Sequence, residues 1–93
     1  MREIRYTARF KRDYRREKTG RHSKTVDAAL IQVLNLLADD RSLPNSNFDH
    51  PLVGEWVDHR DCHIKPDLIL IYRKPDDEHL DLVRLGSHSQ LGL

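Results

Sequence analysis

The stretch Arg60-Asp61-Cys62-His63-Ile64-Lys65-Pro66-Asp67-Leu68-Ile69-Leu70-Ile71-Tyr72 holds two different kinds of strand, and the junction between them decides the fold. From Trp56 to Lys65 the pattern has a period of two. Trp56, Asp58, Arg60, Cys62 and Ile64 point one way, and Val57, His59, Asp61, His63 and Lys65 the other, as in a half-buried strand. Leu68 to Tyr72 is apolar without interruption, which suits a central strand covered on both faces. Pro66-Asp67 is a turn, so the two strands run antiparallel.

Working outward, Lys74-Pro75-Asp76-Asp77-Glu78 reads as a hairpin loop, and His79 to Leu85 as a last strand stopped by Gly86. At the other end, Glu3-Ile4-Arg5-Tyr6 alternates as a short strand. Thr7 can cap a first helix over residues 8–19 that ends at Thr19-Gly20, with a thin apolar stripe of Ala8, Phe10 and Tyr14. Ser23 or Thr25 can cap a second helix that runs to about Ala38. There Val26, Leu30, Val33 and Leu37 recur at helical steps and supply one wall of the core. Residues 39–47 form a loop. The expected class is α+β in the order β-α-α-β-β-β, with a mostly antiparallel sheet and two N-terminal helices packed on one face.

Ninety-three residues make one domain, residues 1–93, with a modest core. No apolar run approaches the roughly 20 residues that span a bilayer, so no membrane partner is expected. The first residues have no signal-peptide core, and Cys62 is the only cysteine. Both points favour a reducing cytoplasm, and the second excludes a disulfide or a Cys-rich zinc site. The net charge of +1 conceals a dipole: residues 1–24 carry ten Arg and Lys against Glu3, Asp13 and Glu17, so residues 25–93 are net acidic. A basic front can grip a polyanion; its bland reading is a solvated helix face.

Residues 49–67 hold His50, His59 and His63 among Asp49, Asp58, Asp61 and Asp67. Metal binding, proton transfer and ordinary surface polarity are three answers. His59 and His63 stand about 13 Å apart on an extended strand, too far to share an ion without a sharp bend, so no metal is expected. Proton transfer to and from a ribose 2′-hydroxyl needs only a base, an acid and cations near the phosphate. Imidazole serves either role near neutral pH. Against this, a lone strand-borne histidine facing water is more often surface, the reading given to His22, His59 and His79. Trp56 is read as core.

The strings Asp49-His50-Pro51-Leu52-Val53-Gly54-Glu55-Trp56, Arg60 to Tyr72, and Arg84-Leu85-Gly86-Ser87-His88-Ser89-Gln90-Leu91 resemble the YafQ-type branch of the RelE/ParE toxin superfamily, in order, in spacing and over essentially the full length. That resemblance implies a RelE-like fold and the toxin half of a type II toxin–antitoxin pair. It implies an endoribonuclease that cuts mRNA in the ribosomal A site without a metal or other cofactor, leaving a 2′,3′-cyclic phosphate and a 5′-hydroxyl. The positions carried over are His50, His63, Asp67 and His88. His50 is expected as base and His88 as leaving-group acid, with His63 and Asp67 orienting the phosphate or tuning the acid. Arg60, Lys65 and Arg84 are candidates for phosphate contacts, and Asp61 for a supporting role beside them. Arg9, Arg12 and Arg16, on one side of the first helix, are candidates for ribosomal RNA.

The implied partners are a cognate antitoxin of ribbon-helix-helix type and the 70S ribosome with its mRNA, with operator DNA reached only through the antitoxin. One departure stands out: where the family's last motif closes on an aromatic, this chain has Gly92-Leu93. Two alternatives stay open, a ParE-like binder of another target such as gyrase and a weakened toxin acting mainly in autorepression.

Overall fold

The computed structural model describes residues 1–93. Its elements are β1 (Glu3–Tyr6), α1 (Ala8–Glu17), α2 (Val26–Ala38), β2 (His50–Pro51), β3 (Arg60–Lys65), β4 (Leu68–Arg73), β5 (His79–Gly86) and α3 (His88–Leu91), with single 3₁₀ turns at Asn45–Asn47 and Gly54–Trp56. The strands lie in the order β1-β5-β4-β3-β2, β1 parallel to β5 and every other pair antiparallel. This is the α+β architecture expected from the sequence, with two additions and two shortened elements.

β4 is central, as its unbroken apolar run requires. Leu68, Leu70 and Tyr72 face α1 and α2, in one core with Phe10, Val26, Leu30, Val33, Leu37, Cys62, Leu80, Leu82 and Leu85. Ile69 and Ile71 face the other way, against Leu91, Leu52, Trp56 and Val83. Trp56 is therefore a partly buried residue packed against this smaller cluster rather than a member of the main core. Each fully buried Leu or Ile contributes about 1.5–3 kcal/mol, so the helical face carries most of the stability and the outer face is left thinly covered.

Local chemistry explains where the elements stop. Thr7 caps α1 by accepting from the Phe10 N–H at 3.2 Å, and its hydroxyl donates to the Leu82 carbonyl at 2.8 Å, fixing the helix to β5. α1 ends at Glu17, two residues short of the expected boundary. There Thr19 turns back on Arg16, with both its N–H and its hydroxyl donating to that carbonyl. Thr25 sits at the α2 cap position without a side-chain bond. β3 starts at Arg60 rather than Trp56, because Gly54 (φ 69°) and Asp58 (φ 72°) take left-handed conformations that no strand accommodates. The added strand is β2, two residues paired to β3 with His50 opposite Asp61 and Pro51 opposite Arg60. Pro51 is tolerated because β2 is an edge.

β1 covers only the first half of β5, and α1 side chains finish that edge. Asp13 Oδ2 accepts from the Leu85 N–H at 3.0 Å, and Arg16 Nη2 donates to the Leu85 carbonyl at 2.8 Å. The edge is thus satisfied by a helix, not left open to another strand.

Candidate active site

β2, β3 and the β5–α3 turn bring four of the expected residues to the outer side of the sheet. By alternation, Cys62 and Ile64 enter the helical core while Asp61 and His63 face outward. β2 places His50 directly across from Asp61. Ser87 begins α3 with a reciprocal cap, accepting from the Gln90 N–H while the Gln90 side chain accepts from the Ser87 N–H at 2.8 Å. That cap fixes His88 as the first helical residue. The His63 and His88 rings meet edge to face with centroids 5.3 Å apart.

His50 and His88 are each held through Nδ1 by an oxygen that accepts. His50 Nδ1 lies 2.7 Å from the Phe48 carbonyl and 3.2 Å from Asp61 Oδ1. His88 Nδ1 lies 3.1 Å from Asp67 Oδ1, and Asp67 also accepts from the His88 N–H at 3.4 Å. Both Nδ1 atoms therefore carry hydrogen, and Nε2 of each ring is the atom available for proton transfer. The bonds from His88 hold the Asp67 carboxyl below the usual carboxylate range.

Asp61 is the buried member, 3% exposed. Burial pushes its carboxyl up, and the opposing pulls come from His50, His63 and His88. No donor hydrogen-bonds its Oδ1, because the His50 Nδ1–H is directed to the Phe48 carbonyl. The carboxylate therefore lies 3.2 Å from the His50 ring with one oxygen free of any hydrogen bond.

Other expectations change once the contacts are known. Arg60 lies on the opposite face from His63, paired in register with Tyr72, and its Nε donates to Asp49 at 3.3 Å. It is not in the histidine cluster. Arg84 is engaged by Asp13, with Nε donating to Oδ2 at 2.7 Å and Nη2 to Oδ1 at 3.4 Å, leaving Nη1 unbonded. Arg16 bonds Leu85, Asp13 and Glu17, so it is tied into the fold. Arg9 and Arg12 are exposed and make no ion pair. Lys65 lines a cleft with Phe48 and His63. Arg21, not singled out in the sequence, and His22, read there as surface, line a polar cleft with Asp67 and Ser87. His79 is bound to Asp76 and stands outside the cluster, while His59 packs its ring edge on Trp56. Gly92 ends α3 in the left-handed region (φ 72°), and a Cβ there would meet nothing within 4 Å. Cys62 is fully buried, which pushes its thiol far up.

Comparison with known proteins supplies the family. The model of the bacterial toxin of type II toxin–antitoxin systems, YafQ, matches residues 2–92. The chain is 36% identical over 91 residues to the mRNA interferase toxin YafQ of Escherichia coli strain K12, covering 98% of this chain and 96% of that one. The crystal structure of YafQ from Escherichia coli strain BL21(DE3) superposes with a TM-score of 0.83 at 32% identity, over 98% of each chain. A chain of the Escherichia coli DinJ–YafQ toxin–antitoxin complex gives 0.81 at 33% identity, over 97% of this chain and 96% of that one. With likeness of this degree along nearly the whole length, in sequence and in backbone, the chain belongs to the YafQ family of bacterial type II toxin–antitoxin toxins.

Proposed function

We propose that this chain, acting as one domain over residues 1–93, is a ribosome-dependent mRNA interferase. The observation that carries the reading is the convergence of His50, His63 and His88, from three separate elements, around Asp61 and Asp67. A protein that only bound its target would have no use for an acid and a base with both tautomers fixed. The relatives named as mRNA interferases, and the toxin–antitoxin complex of similar fold, support the same activity and an antitoxin partner here. A substrate of ribosome-bound mRNA implies action in the cytoplasm. No helix is long and apolar enough to cross a membrane.

In this reading His50 Nε2 removes the 2′-hydroxyl proton, and the freed oxygen attacks the adjacent phosphorus. As His50 becomes positive, the buried Asp61 carboxylate stabilises the half-exposed ring from 3.2 Å. His88, protonated and held by Asp67, donates from Nε2 to the departing 5′-oxygen as the P–O5′ bond breaks. The products are a 2′,3′-cyclic phosphate and a 5′-hydroxyl. His63, between Phe48 and His88, orients the phosphate, with Lys65 and Arg84 Nη1 supplying positive charge nearby. Of the three α1 arginines singled out in the sequence, Arg9 and Arg12 make no ion pair and are assigned to ribosomal RNA phosphates.

The test is cleavage mapping on programmed ribosomes with wild type, His50→Ala and His88→Ala. Each substitution is expected to lower cleavage by about 10²–10⁴-fold while antitoxin binding persists. Undiminished cutting by both variants would end the proposal. Gyrase inhibition surviving both would replace it with the binder.

A further inference from the structure

Phe48 is the residue of the outer face that neither the core nor the proposed proton transfers account for. The residue is 63% exposed although it is one of only two phenylalanines in the chain. Its backbone sits in the left-handed region at φ 48°, ψ 44°, an unfavourable conformation for a bulky side chain and one that the surroundings must hold. They do so at three points: the Phe48 N–H donates to the Asn45 carbonyl at 3.0 Å, the neighbouring Asn47 side chain donates to the His63 carbonyl at 2.7 Å, and the Phe48 carbonyl engages His50 Nδ1. The strained turn therefore fixes His50 and presents an aromatic face at once.

The ring's position gives it a direction along a substrate. Phe48 and His63 have centroids 5.3 Å apart, as do His63 and His88, so the three rings form a row with His63 in the middle. His88, the acid, marks the end occupied by the nucleotide whose 5′-oxygen leaves. Phe48 marks the other end, where the nucleotide bearing the attacked 2′-hydroxyl lies. Beside it is a cleft of about 400 Å³ lined by Ser46, Asn47, His63 and Lys65. This is within the range of small-ligand sites, with a cation available for backbone phosphate.

We propose that Phe48 stacks on the base of the nucleotide immediately 5′ of the scissile phosphate, and so positions the ribose whose 2′-hydroxyl His50 deprotonates. The inference rests on the ribonuclease reading above and adds a positioning residue to it. Stacking on an aromatic face tolerates any base, so Phe48 sets rate more than sequence preference.

The experiment crosses the protein variant with a substrate variant on programmed ribosomes. Wild type, Phe48→Leu and Phe48→Trp are each given intact mRNA and mRNA abasic at the nucleotide 5′ of the cut. Wild type should lose roughly tenfold in kcat/KM on the abasic mRNA. Phe48→Leu should lose roughly tenfold on intact mRNA and nothing more on the abasic one, while Phe48→Trp should cleave intact mRNA as wild type does. Losses that multiply, or a wild type indifferent to the missing base, overturn the assignment; the second needs no variant to fold. Normal cleavage by Phe48→Leu with weakened antitoxin binding also overturns it and makes the ring a protein contact. If wild type cuts neither mRNA, the ribonuclease reading itself fails and this inference with it.

Discussion

Asp61 Oδ1 stands 3.2 Å from His50 Nδ1 yet receives no hydrogen bond, and the residue is 3% exposed. A buried acceptor left without a donor costs about 1–3 kcal/mol, so the position is kept at the expense of stability. Burial raises the Asp61 pKa, with His50, His63 and His88 pulling the other way. The folded chain therefore holds this proton more tightly than the unfolded chain does. The favourable contribution is complete below the ordinary carboxylate range and is lost as pH rises through the folded value. Asp61→Asn never ionises and escapes that loss. It should be more stable than wild type at pH 7 by about 1 kcal/mol, with the gap closing as pH falls toward 4, measured by urea unfolding across that range. Cleavage should fall at least about tenfold, because the imidazolium at His50 loses its counter-charge. A less stable Asp61→Asn variant at pH 7 would mean that the carboxylate is a structural anion.

At the scale of elements, α1 does what a strand would otherwise do for the second half of β5. Asp13, 4% exposed, accepts from the Leu85 N–H and pairs with Arg84. Burial alone would raise its pKa, but Arg84, the Leu85 N–H and Arg16 together hold it below the usual carboxylate range. Its stabilisation is thus present above the ordinary carboxylate pKa and lost as pH falls through the folded value. Asp13→Ala leaves a nearly buried guanidinium and an edge N–H unpaired, and should cost about 3 kcal/mol in chemical denaturation with an unchanged m value. A cost within about 0.5 kcal/mol would show that water replaces both bonds. The same elements show what the sequence could and could not reveal. Period-two alternation alone puts Arg60 on the face opposite His63, so its exclusion from the cluster was readable. Arg84 was not readable, because the register shift that follows Ile71 leaves Val83 unpaired and breaks the alternation. β2 and α3 were invisible for another reason: two and four residues are too few for any periodicity, and both exist through bonds to β3 and through the Ser87–Gln90 cap.

Across the whole molecule the sheet separates two surfaces: helices cover one, and the histidine cluster occupies the other. The helices, the central strand and the resemblance were legible because they are local patterns. The meeting of His50 with Asp61 and of His88 with Asp67 depends on pairings 11 and 21 residues apart, which only the folded sheet defines. On the helical side an apolar groove remains, lined by Tyr6, Phe10, Tyr14, Leu30, Ile31 and Leu34, with Lys11 and Arg15 beside it and Asp27 already engaged by Lys18 and Tyr14. Ile31 is 60% exposed and Tyr6 50%. In a toxin whose partner must bind tightly, an apolar floor with basic neighbours suits an amphipathic antitoxin segment with acidic flanks. Ile31→Lys would set a third positive charge among these residues and remove apolar surface from the contact. The variant should bind the antitoxin at least about tenfold more weakly by calorimetry, while its kcat/KM on ribosome-bound mRNA stays at the wild-type value. An unchanged Kd would move the antitoxin off this groove. A parallel fall in cleavage would mean that the two faces are coupled through β4, whose residues alternate between the two clusters.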